Sequence, residues 1–133
     1  LSFFLSFFLS FFLLSLSGTQ QLSLHVLITL FEIILNKSVS DYNAHPERHF
    51  IAGKQNKKRN LDINLENYKR QYIPFINKKG EKEVWIYCLC ETHGSNNWKK
   101  EVLFTAGGGD CYFQVTINLS KRMFYNFFPN GPA

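Results

Sequence analysis

No Lys, Arg, Asp or Glu occurs before Glu32, so all 15 basic and 10 acidic residues lie after position 31. The 133 residues include only three Cys, four Pro, one Met and eight Gly. Three Cys do not make a disulfide scaffold. So few Gly and Pro exclude a collagen-like repeat, and a net charge of +5 excludes a disordered acidic chain. One apolar run, confined to the N-terminus, excludes a multi-pass membrane protein. The part after residue 31 is about a quarter charged, as in an ordinary soluble domain. Its length suits one domain and not two.

Residues 1–17 contain only Leu, Ser and Phe, with L-S-F-F three times over. As a helix they would span about 26 Å, at roughly 1.5 Å per residue. A bilayer core is about 30 Å. A secretory signal has a basic segment before its apolar run and small residues after it. This run has no basic residue before it, and Gly18-Thr19-Gln20-Gln21 is a poor cleavage site. Leu, Ser and Phe can all be written in pyrimidine-only codons. A translated pyrimidine tract, such as precedes a splice acceptor, gives such a run. Two readings stay open: translated non-coding sequence, which leaves an intracellular protein, or a truncated signal or anchor. The second makes the protein secretory or membrane-associated, and only then is a membrane a partner. Residues 18–133 are read as a single α+β domain.

Leu27, Leu30, Phe31, Ile34, Leu35, Ser38, Val39 and Tyr42 recur at helical spacing and predict a helix over about 26–43. Leu22 to Leu30 also alternate as a strand would. Thr29-Leu30-Phe31-Glu32 has the form of a capping box. Asn43 and His45-Pro46 stop the helix. After Pro46 the pattern turns to β. Residues 49–55 read as a weak strand, and Asn60-Leu61-Asp62-Ile63-Asn64-Leu65-Glu66 as a half-buried one. Pro74 makes 72–76 an edge strand or loop. Asn77-Lys78-Lys79-Gly80 is a turn. Residues 83–91 are apolar on both faces and predict a central strand. Residues 98–106 and 111–118 predict a hairpin through Gly107-Gly108-Gly109-Asp110. The expected fold is one helix on an antiparallel sheet of four or five strands. Most strand content is expected between Leu61 and Ile117.

The element order, and the helix ending Ser38-Val39-Ser40-Asp41-Tyr42-Asn43, resemble the cystatin-type fold. The runs Val102-Leu103-Phe104-Thr105-Ala106 and Cys111-Tyr112-Phe113-Gln114-Val115 resemble its paired late strands. The closest likeness is to a plant group of small cystatin-like domains of unknown function, over residues 38–118. The resemblance implies the fold and a non-catalytic role in protein interaction. Inhibition of papain-like proteases would need Gln-x-Val-x-Gly in the first hairpin and a late Pro-Trp. This chain has Ile76-Asn77-Lys78-Lys79-Gly80-Glu81 in the first place and no Pro-Trp.

Cys88-x-Cys90-x-x-His93, with Cys111 further on, offers four zinc-ligand types. The spacing is not a zinc knuckle, so buried apolar thiols and no metal are expected. Residues 54–82 carry nine basic and three acidic side chains. Lys57-Lys58-Arg59 and Lys69-Arg70, interleaved with Tyr68 and Tyr72, could meet phosphates and stack on bases. A solvated basic face explains them as well, so nucleic acid is not the expected partner. There is no G-x-S-x-G, H-E-x-x-H or P-loop, hence no catalytic residue, no cofactor and no enzyme. Asn36-Lys37-Ser38 and Asn118-Leu119-Ser120 are glycosylation sequons. The leading expectation is an interaction domain with an unidentified protein partner. Its loops would be His93 to Asn97 and Gly107 to Asp110, at the open ends of the sheet. A divergent cysteine-protease inhibitor and a basic nucleic-acid-associated module are the alternatives.

Overall fold

The computed structural model of the chain describes residues 24–49, 62–94, 97–103 and 105–130. Helix α1, Leu24–Ala44, precedes four strands: β1, Lys69–Ile76; β2, Lys82–Leu89; β3, Tyr112–Asn118; and β4, Met123–Pro129. They form one antiparallel sheet in the order β1-β2-β3-β4. This is the expected α+β arrangement of one helix on an antiparallel sheet.

The helix forms because its apolar residues share one face. Leu27, Phe31, Ile34, Leu35, Val39 and Tyr42 are buried against Val84, Ile86 and Cys88 of β2 and Phe113, Val115 and Ile117 of β3. Truncating one such aromatic, Phe31→Ala, would cost about 3–5 kcal/mol. Ser38 is fully buried on that face, and its hydroxyl donates to the Leu35 carbonyl at 2.7 Å. A small side chain there lets helix and sheet approach closely. The helix ends at Ala44, before Pro46. It begins at Leu24, so the capping-box pattern at Thr29 lies inside it. Glu32 serves another purpose: it accepts from Tyr72 Oη at 2.9 Å and pairs with Arg70 Nε at 2.8 Å, joining the helix to β1.

Tyr42 and Asn43 end the helix by gripping two distant segments. Tyr42 stacks on Phe127 with ring centroids 4.9 Å apart. The Asn43 amide donates to the Ile63 carbonyl at 3.1 Å and accepts from the Ile63 N–H at 2.9 Å. That pairing corrects one expectation. Ile63 and Leu65 are buried between exposed neighbours, but the described part of 60–66 is no strand. Residues 62–64 are irregular and Leu65–Asn67 is a 3-10 turn. A side-chain amide supplies at Ile63 what a neighbouring strand would have supplied. His49 closes a 3-10 turn, and the rest of the weak strand expected over 49–55 lies outside the described residues.

The larger correction concerns β3. The hairpin expected between 98–106 and 111–118 does not form among the described residues. Both edges of β3 are taken, by β2 and by β4. The tail wins the second edge because it returns through a four-residue turn and brings Phe124 and Phe127 to the core. Some strand content therefore falls beyond Ile117. The described part of residues 90–111 instead crosses the outer face of the sheet as a connection. Trp98 and Leu103 pack there on Tyr87, Leu89 and Tyr112. Gln71 anchors it: Nε2 donates to the Trp98 and Glu101 carbonyls at 2.6 and 2.7 Å, and Oε1 accepts from the Leu103 N–H at 3.2 Å.

Candidate interaction site

Two hairpin turns lie side by side at one end of the sheet. The first, 77–81, is built by Asn77. Its side-chain oxygen accepts from the N–H groups of Lys79 and Glu81 at 2.9 and 3.0 Å, and its amide donates to Glu81 Oε1 at 3.2 Å. Gly80 takes a φ of +77°, which glycine adopts without strain. Lys78 and Lys79 are left exposed at the tip. The second turn, 119–122, is held by Asn118, whose side-chain oxygen accepts from the Lys121 N–H at 2.9 Å.

Glu81 ties the turns together. It accepts from Asn118 Nδ2 at 3.2 Å and pairs with Lys121 Nζ at 3.5 Å. The Asn77 hydrogen bond first, then those from Asn118 and Lys121, hold its carboxyl below the usual range, outweighing desolvation. Below the turns, on the outer face of the sheet, is an open cleft of about 370 Å³. Glu83, 2% exposed, and Asn118, 3% exposed, sit at its base. Glu83 accepts from Asn118 Nδ2 at 3.1 Å and from Tyr125 Oη at 2.6 Å. Desolvation, and then that carboxylate, push the Tyr125 phenol up to about 12. Both carboxylates are thus engaged internally; Lys78 and Lys79 stand exposed on the rim, and Arg122 is exposed in the second turn beside the paired Lys121.

The loops expected to bind lie elsewhere. His93, Asn97, Gly107 and Asp110 belong to one connection at the opposite end, not to two ends. His93 Nε2 is 2.7 Å from Tyr112 Oη, and His93 and Asn97 are exposed. Gly107 and Asp110 are fastened inward. The Gly107 carbonyl accepts from Asn130 Nδ2 at 2.9 Å. Asp110 is buried, and its carbonyl accepts from Tyr68 Oη at 2.6 Å. At Gly108, with φ +81°, a Cβ would sit 2.5 Å from the Tyr112 ring, so glycine is required by contact as well as by conformation.

The four candidate metal ligands do not assemble. Cys90 and Cys111 form a disulfide with Cα atoms 5.0 Å apart. Cys88 is a free, buried thiol on the helix-facing side. The expectation of three buried thiols therefore holds only for Cys88. Adjacent strand ends bring Cys90 and Cys111 together, which their spacing in sequence did not reveal. Of the basic segment, Lys57, Lys58 and Arg59 lie outside the described residues. Lys69 lies over the Trp98 ring at 5.6 Å, while Arg70, Tyr68 and Tyr72 are turned to internal partners.

Sequence reasoning missed Glu83 and Tyr125. The available signal was a polar residue at each of two facing positions, Glu83 and Asn118, in otherwise apolar strands. Among the described residues no cluster of three or more His, Cys, Asp or Glu side chains could hold a metal ion. Nor is any described helix long and apolar enough to cross a membrane. Comparison of the chain with protein-family models, curated proteins and solved structures finds no match.

Proposed function

We propose that this chain is a non-catalytic protein-interaction domain of cystatin-like type, which holds its partner with the paired turns 77–81 and 119–122. The observation that carries this reading is Glu81. Its bonds to Asn77, Asn118 and Lys121 fuse two separate turns into one pre-organised ridge with cations outward. Pre-organisation lowers the ordering cost of association. The charge of the rim favours an acidic partner surface.

The inhibitor alternative would use the same two turns, because a cystatin wedge is a pair of hairpins entering a protease cleft. Charge argues against it. Carrying Lys78, Lys79 and Glu81 into a desolvated cleft costs free energy unless each finds a partner. The nucleic-acid alternative loses its stacking residues, since Tyr68 and Tyr72 pack inward.

Titration against papain separates the first two readings. No inhibition tighter than about micromolar, roughly 8 kcal/mol of binding, is expected. Nanomolar inhibition would replace this reading with the inhibitor one. A photo-reactive side chain at position 120, in the second turn, should then cross-link one partner protein, and K78E/K79E should abolish the adduct. Adducts formed only from position 97 would move the interface to the other end of the sheet.

A further inference from the structure

Two sequons in one chain give the fold a means of sorting between them. Asn36 lies on the solvent side of α1 and is exposed. Its amide donates to the Glu32 carbonyl at 2.7 Å, one turn back along the same helix. Its neighbour one turn earlier, Ile33, is 50% exposed and faces the same way. A sugar attached at Asn36 would extend into solvent and shield that apolar side chain. Asn118 is the opposite case. It is 3% exposed, and its Nδ2 donates to both Glu81 and Glu83. A sugar bonded to that nitrogen removes one of its two hydrogens, so it can no longer donate to both Glu81 and Glu83, and Glu83 loses a partner for its buried carboxylate.

The Cys90–Cys111 disulfide supplies the compartment. Such bonds form and persist in oxidising environments, above all the secretory pathway. Two thiols pass two electrons and two protons to an external disulfide oxidant, which is reduced to its dithiol. The same compartment holds the machinery that modifies Asn-x-Ser sequons.

We propose that the chain matures in the eukaryotic secretory pathway and carries an N-linked oligosaccharide on Asn36 and none on Asn118. In the transfer, Asn36 Nδ2 bonds to the anomeric carbon of a lipid-pyrophosphate-linked oligosaccharide. The anomeric carbon–oxygen bond breaks, the lipid pyrophosphate leaves with the electron pair, and one amide proton is released. The Ser38 hydroxyl needed for recognition is fully buried in the fold, so the transfer precedes folding. Both sequons are open at that stage, and folding then selects. A chain modified at Asn118 cannot satisfy the buried Glu83 carboxylate beside it, and it fails to reach the native state.

The test is the full chain directed to the secretory pathway of a eukaryotic host, with the soluble folded fraction analysed by peptide mass mapping. Peptide-N-glycosidase should remove one oligosaccharide, and N36Q should abolish that shift. S120A destroys the second sequon without touching the Asn118 amide, so it should leave the sugar unchanged and maintain or raise the folded yield. Thiol alkylation without reduction should label no more than one cysteine. Folded protein bare at Asn36, folded protein carrying sugar on the Asn118 peptide, or a secreted product with three free thiols would each overturn the proposal.

Discussion

Tyr125 Oη donates a 2.6 Å hydrogen bond to Glu83, reaching from β4 over the intervening strand β3 to β2. The bond explains how a carboxylate that is 2% exposed is tolerated on the outer face of the sheet. Removing the donor with Tyr125→Phe leaves Asn118 to satisfy a buried charge, at a cost of about 1.5–3 kcal/mol. Replacing both partners by apolar groups is nearly neutral by comparison. In a Glu83→Met background the same Tyr125→Phe change should therefore cost less than half as much. Urea midpoints of the four proteins of this cycle measure the difference, and equal costs in both backgrounds would dismiss the coupling.

Alkaline pH should unfold the domain through its phenols. Desolvation first, then nearby acidic groups, push Tyr68 and Tyr125 up to about 12, and Tyr72, bonded to Glu32, goes higher still. Each phenol ionises near 10.0 in the unfolded chain. The folded state holds these protons more tightly, so its advantage is complete below that pH. Above it the unfolded chain ionises first, and stability drops as pH climbs through the folded values. Urea midpoints should be level up to about pH 9 and fall steeply from about 10 to 12. Tyr72→Phe should flatten the fall, and a flat profile in the parent chain would refute the prediction.

The disulfide closes a connection of sequence separation 21. Chain-entropy reasoning gives about 3 kcal/mol for a loop of this size. C90S/C111S should lose that amount while keeping the sheet, since β2 and β3 also pair along their whole length. Cys88 should resist thiol reagents until the protein unfolds, because burial pushes its thiol far above the ordinary range. Rapid labelling of one thiol in the folded parent would contradict its place in the core.

The helix and the β1–β2 hairpin were legible because local pattern and tertiary need agree there. Phe31, Ile34 and Leu35 repeat at helical spacing, and Pro74 marks an edge strand at β1. The alternation at Ile63 and Leu65 gave burial correctly but not secondary structure, because Asn43 replaced the partner strand. Val102 and Leu103 have strand composition, yet competition for the two edges of β3 decided against them. Such competition between distant segments leaves no trace in either segment's own pattern. The site was least legible of all. Glu83, Asn118 and Tyr125 come from three strands, and only register brings them together on the outer face: Glu83 faces Asn118, and Tyr125 faces Thr116, two residues along.

Register also sets the last prediction. Gln114 faces Phe128 and Thr116 faces Tyr125, so β4 carries one residue more than β3 over this span. Asn126 absorbs it with a φ of +53°. Without this bulge, Phe124 and Phe127, three residues apart, would point to opposite faces. With it, both reach the helix-facing core while Tyr125 turns outward to Glu83. Asn is among the few side chains that accept the left-handed region. Strand propensity alone ranks Val above Asn at an exposed strand position. The bulge reverses the order: Asn126→Val should destabilise by about 1–2 kcal/mol, the cost of a Cβ in the left-handed region. Asn126→Gly should stay within about 0.5 kcal/mol of the parent, its freedom in that region offset by unfolded-state entropy. Deleting Asn126 should be far worse, because one Phe must leave the core at about 3–5 kcal/mol. Chemical denaturation of the three variants checks the ranking, and a Val variant as stable as the parent would show that β4 has no bulge at this position.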